Sequence, residues 1–116
     1  ENDNLHLTIA LNYGGRDEIV RATKKISEKV KLGVLNIDDI TVEMFSNNLD
    51  TFDLPDPDLV IRTSGEVRTS NFLPWQCAYS EYVFEKTNWP DFNNDIYEEI
   101  LIEFKNRERR FGAILK

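Results

Sequence analysis

The sequence predicts an α/β domain with a mainly parallel sheet flanked by helices, and three observations predict it. An alternating apolar segment, Leu5 to Leu11, is followed by paired glycines and then a stretch with helical spacing. A continuous apolar triplet, Leu59-Val60-Ile61, has the character of a strand buried on both faces. The last third of the chain repeats the order of strand, turn and helix.

Taken in order, Leu5, Leu7, Ile9 and Leu11 alternate with His6, Thr8, Ala10 and Asn12, the period-two signature of a strand. Asn12-Tyr13-Gly14-Gly15-Arg16 breaks that pattern as a tight turn. From Asp17 to about Lys31, Ile19, Thr23, Ile26 and Val30 recur at helical spacing. Acidic Asp17 and Glu18 open this helix and basic Lys29 and Lys31 close it, matching the helix dipole, and Gly33 is its expected stop. Residues 36–49 read as one short helix capped by Asn36 or Asp38 that buries Val42, Phe45 and Leu49. The prolines at 55 and 57 force an extended or turned passage. Leu59-Val60-Ile61 is the second strand, 62–70 a polar loop, and Ser70 the expected cap of a short helix reaching Cys77. Tyr82-Val83-Phe84 is the third strand, and Trp89-Pro90-Asp91-Phe92 a loop. The final helix starts at Asn93 or Asn94, buries Ile96, Ile100, Leu101, Phe104 and Phe111, and ends at Gly112.

Composition narrows the function. With 116 residues the chain suits one domain, residues 1–116, and 41% hydrophobic against 30% charged residues argues for a globular core rather than disorder. Fourteen basic against 21 acidic residues give a net charge of -7, which opposes bulk nucleic-acid binding. No apolar run approaches the roughly 20 residues that span a bilayer. One cysteine, Cys77, and one histidine, His6, exclude an internal disulfide and a Cys/His zinc site, so a cytoplasmic location is expected. The chain lacks an initiating methionine and is apolar by Leu5, which leads to the expectation of a fragment.

The chemistry concentrates in Arg62-Thr63-Ser64-Gly65-Glu66-Val67-Arg68-Thr69-Ser70-Asn71, which leaves the C-terminal end of a strand, where open α/β sheets place ligands. Two guanidinium forks, four hydroxyls and an expected helix N-terminus make Arg62, Arg68 and Ser70 a candidate phosphate or diphosphate site. The alternative is a solvated turn in which Arg68 pairs with Glu66. Glu81, just before the third strand, is either a solvated carboxylate or a magnesium ligand, since Mg2+ takes one or two carboxylates with water and phosphate oxygens. Lys105, Arg107, Arg109 and Arg110 complement a helix C-terminus or form an anion clamp near Gly112.

These stretches resemble the cis-prenyltransferases, and bacterial undecaprenyl diphosphate synthases above all. The similarity runs through Asn12-Tyr13-Gly14-Gly15-Arg16, Asp58 to Glu66, Arg68-x-Ser70-Asn71-Phe72-Leu73-x-Trp75-Gln76, Tyr79-x-Glu81, Trp89-Pro90-Asp91-Phe92 and Arg107-x-Arg109-Arg110-Phe111-Gly112. The resemblance implies condensation of isopentenyl diphosphate onto farnesyl diphosphate with cis geometry, making the lipid carrier of cell-wall synthesis. It places Arg62, Arg68, Thr69 and Ser70 at the isopentenyl diphosphate, Glu81 at Mg2+, and Arg110 and Gly112 at the active site of the neighbouring subunit of a homodimer. It also implies peripheral membrane contact for product release.

Departures from the pattern are informative. Val67 stands where many bacterial members carry histidine, and Thr69 replaces an aliphatic residue. The Asp-Gly-Asn-Gly-Arg type motif of the family's N-terminal half, whose aspartate holds the allylic diphosphate, is absent. The chain therefore reads as the C-terminal half of such an enzyme, with no catalytic residue of its own and inactive alone. A non-catalytic accessory subunit is the competing reading. Such subunits tend to lose the Arg/Ser block that Arg62, Arg68 and Ser70 preserve here.

Overall fold

The computed structural model describes residues 5–107, which fall into two compact units meeting at Asp53 and Leu54. Arg110, Phe111 and Gly112, and with them the expected end of the last helix, lie outside the described residues.

In the first unit, helix α1 spans Gly15–Lys31 and buries Ala22 and Ile26 on one face. Its end is a Schellman turn: Gly33 at φ +70° lets Val34 N–H reach the Lys29 carbonyl and Gly33 N–H reach that of Val30, both at 3.0 Å. The single helix expected over 36–49 is instead two pieces. Asn36 caps a 3-10 turn at Ile37–Asp39, and Thr41 caps helix α2 at Val42–Ser46. Asn36 Oδ1 accepts from Asp38 N–H and Thr41 Oγ1 from Met44 N–H, so two local caps divide the segment. Leu49 is buried as expected, but Val42 is 72% exposed because α2 begins there, at its open end. The remainder of the unit is tied to α1 by side chains. Glu18 is 1% exposed and accepts from Tyr13 Oη and from Asp50 N–H, while Arg21 clasps both carboxylate oxygens of Asp50 at 2.9 and 2.6 Å.

The expected first strand does not form. Residues 5–11 have no regular structure, and Leu5, Leu7, Ile9 and Leu11 are each at least 70% exposed. Alternation specifies two faces but supplies no ladder, and a strand exists only when a neighbour takes its backbone hydrogen bonds.

The second unit contains strands β1 (Leu59–Arg62) and β2 (Glu81–Phe84), paired in parallel with Leu59 opposite Glu81 and Arg62 opposite Phe84. The α/β class with a parallel sheet is thus observed, with two strands among the described residues. All four residues of β1 are only half-buried, so the apolar triplet is not covered on both faces here. Ser80 Oγ donates to the Pro57 carbonyl and Glu81 N–H to that of Asp58, extending the pairing before the strands begin. Helix α3 spans Asn94–Asn106, capped by Asn93 Oδ1, and buries Ile100. Arg107, its C-cap, is in an extended conformation.

The expected helix from Ser70 to Cys77 is also absent, replaced by successive turns. Ser70, Asn71 and Leu73 take φ of 48°, 66° and 46°, in the left-handed region that a right-handed helix cannot contain. The cause is visible at Ser70: its Oγ, needed to cap a helix, accepts from Arg62 Nη1 at 2.8 Å instead.

Candidate functional site

Strand alternation places Val60 and Arg62 of β1 on the same face as their register partners Tyr82 and Phe84 of β2. The Tyr82 and Phe84 rings stack, with centroids 5.8 Å apart and planes 15° from parallel. Beyond β1 the chain turns sharply, with Ser64 and Gly65 at φ 73° and 68°. Ser64 N–H donates to the Thr87 carbonyl and Gly65 N–H to that of Glu85, each at 2.9 Å, fastening the loop to the segment after β2. Arg62 then folds under the loop, donating through Nη1 to the Arg68 carbonyl as well as to Ser70 Oγ.

The result is a cavity of about 260 Å3. Arg62, Arg68, Thr69 and Ser70 form its polar side, while Val60, Phe72, Tyr82 and Phe84 supply apolar wall. All four residues expected at an isopentenyl diphosphate are therefore brought together. Their positive field comes from guanidinium groups alone, since the helix N-terminus expected behind Ser70 is absent. Arg68 also makes the ion pair with Glu66 that the alternative reading anticipated. Val67, where the resemblance implies a histidine in many bacterial members, is 71% exposed and carries no titratable group.

Glu81 occupies the other end of the strand pair, three residues or about 10 Å from the ligand end. It is not part of the cavity wall. Its Oε2 accepts from Arg107 Nη1 at 3.2 Å, and the same guanidinium donates to the Tyr82 carbonyl and to Glu103. These carboxylate hydrogen bonds, Glu103 first, push Arg107 further above its usual range against the opposing effect of burial. Among the described residues no cluster of three or more ligating side chains could hold a metal ion. Glu81 fits Mg2+ only as one carboxylate of a site completed by water and phosphate oxygens.

The aromatic wall was not singled out from the sequence, although period-two reading of 82–84 puts Tyr82 and Phe84 on one face. Tyr82 has its hydroxyl pushed above the usual range by burial and by the neighbouring thiol of Cys77, which is buried. Phe72 stands in the stretch that carries the resemblance, but its place in the apolar wall follows from the left-handed turn at Ser70 and Asn71.

A family model described as "Putative undecaprenyl diphosphate synthase" matches residues 1–112. The chain belongs to this prenyltransferase family. It is 54% identical over 114 residues to an isoprenyl transferase of Clostridium perfringens and 57% identical over 114 residues to one of Bacillus subtilis. Each alignment takes in 98% of this chain but only 45% and 44% of the relative, so the chain spans less than half the length of these prenyltransferases. Among solved structures, lavandulyl diphosphate synthase from Lavandula x intermedia, in complex with dimethylallyl diphosphate, superposes with a TM-score of 0.83 at 40% identity. That match covers 87% of this chain and 44% of the synthase. "A probable undecaprenyl diphosphate synthase" from Campylobacter jejuni gives a TM-score of 0.75 at 41% identity, covering 89% and 45%. No helix among the described residues is long and apolar enough to cross a membrane.

Proposed function

We propose that this chain is the C-terminal part of a cis-prenyltransferase and supplies its isopentenyl diphosphate site. The supporting observation is the cavity that joins Arg62, Arg68, Thr69 and Ser70 to an apolar wall of Val60, Phe72, Tyr82 and Phe84. Isopentenyl diphosphate has the same two-part character, an anion on a five-carbon apolar tail. Planar guanidinium groups match paired phosphate oxygens, and hydroxyls donate to those that remain. Ser70 Oγ already accepts from Arg62, so its own proton is directed to another acceptor such as a phosphate oxygen.

The reaction on this reading breaks the C–O bond of an allylic diphosphate such as farnesyl diphosphate. Inorganic diphosphate leaves, the isopentenyl double bond forms the new C–C bond at the allylic carbon, and the resulting cation gives up a proton to the released diphosphate or water. The chain's own residues hold and orient the isopentenyl partner, which offsets part of the positional entropy cost of the encounter. Glu81 is the carboxylate we assign to a magnesium ion, which would neutralise diphosphate charge together with water and phosphate-oxygen ligands. The allylic site, the cell-wall carrier as product, a homodimer in which Arg110 and Gly112 serve the neighbouring subunit, and a cytoplasmic setting with membrane contact at product release belong to the same proposal.

Calorimetric titration of isopentenyl diphosphate into the folded chain tests it. Binding should weaken at least about ten-fold in Arg68→Gln, the loss expected for a charge-assisted contact. Equal binding by the variant, or none by a folded parent chain, would overturn the assignment.

A further inference from the structure

Arg68 faces the cavity and at the same time is held by a carboxylate from its own loop. Glu66 lies two residues earlier and its Oε2 accepts from Arg68 Nη2, while Glu66 itself is not part of the cavity wall. We infer that Glu66 is an internal competitor for Arg68, a built-in anion that sets how tightly the cavity holds a diphosphate. This deepens the reading of the cavity as a diphosphate site and rests on it.

Three features carry the inference. Arg62 is fixed beneath the loop by the Arg68 carbonyl and Ser70 Oγ, so the loop is already shaped without Glu66. The loop is further fastened by Ser64 and Gly65 to residues 85–87. Glu66 is therefore not needed to build the cavity, and its contact falls on the guanidinium that a ligand would use. The pair is solvent-accessible, with side-chain exposures of 64% for Arg68 and 41% for Glu66, so it can open at small cost. A diphosphate reaching Arg68 either displaces the carboxylate or stays beside it and is repelled. Both routes lower affinity.

The test is calorimetry with inorganic pyrophosphate at fixed, low ionic strength on the chain, Glu66→Gln and Glu43→Gln. Glu43 is an exposed carboxylate of α2, and its neutralisation changes net charge by the same amount. Circular dichroism confirms that all three fold. Glu66→Gln should bind about two- to five-fold more tightly than the parent, the range set by an exposed ion pair, with Glu43→Gln unchanged. Equal or weaker binding by Glu66→Gln, beside a parent that binds, overturns the competitor role and leaves the diphosphate site standing. An equal gain in Glu43→Gln also overturns it, because net charge would then be the cause. No binding by any folded protein overturns the site and the inference together.

Discussion

Glu18 shows how a single residue can hold a small unit together. Its two oxygens accept from the Tyr13 hydroxyl and the Asp50 N–H, and the residue is only 1% exposed. Glu18→Ala withdraws both acceptors, and we expect a loss of about 2 kcal/mol in urea unfolding, the cost of stranding such donors. Asp50 gives a pH dependence. Hydrogen bonds from Arg21 hold its carboxyl below the usual range, against the opposing effect of burial. A depressed folded-state pKa means stability present above the unfolded value and lost as pH falls through the folded one. Thermal melts should therefore fall in the acid range, and less steeply for Asp50→Asn, which has no proton to take up. At the cavity, the same scale explains Ser70: its hydroxyl serves Arg62, and so the helix it could have capped does not start.

At the scale of elements, caps decided boundaries more than apolar spacing did. The segment 36–49 has the apolar periodicity of one helix, yet Asn36 and Thr41 each cap their own short piece. Helix α3 begins where Asn93 Oδ1 meets the Ile96 N–H at 3.1 Å. Asn93→Ala should cost about 1 kcal/mol, read from the urea midpoint at constant slope. Helix α1 relies on Gly33 at φ +70°, with open space around the position. Gly33→Ala should therefore destabilise by about 1 kcal/mol through backbone strain alone, without a packing change. Arg107 does similar work at the end of α3, joining it to Glu81, the Tyr82 carbonyl and Glu103.

For the whole molecule, the chain belongs to a prenyltransferase family but spans less than half of its relatives' length. Among the described residues two strands pair in parallel, and the alternating segment 5–11 belongs to neither. Amide exchange should follow that difference, fast over 5–11 and slower in β1 and β2 where ladder bonds protect the N–H groups. On the proposed reading, the chain alone should release no polyprenyl product from farnesyl and isopentenyl diphosphates with Mg2+. A radiolabel assay yielding product would remove the expectation that the allylic half of the site lies elsewhere.

By itself the sequence determined the α/β class, the extents of α1 and β2 to within two residues, and the family, because these rest on local periodicity, turn chemistry and ordered motifs. It also picked out Arg62, Arg68, Thr69 and Ser70, whose residue types state their chemistry outright. Only the tertiary structure decided how they meet. Arg62 bends under its own loop to reach Ser70, and the left-handed turn at Ser70 and Asn71 brings Phe72 to the apolar wall. Glu81 likewise gained its neighbours only in three dimensions: parallel register sets it opposite Leu59, and its carboxylate meets Arg107 from 26 residues further along the chain.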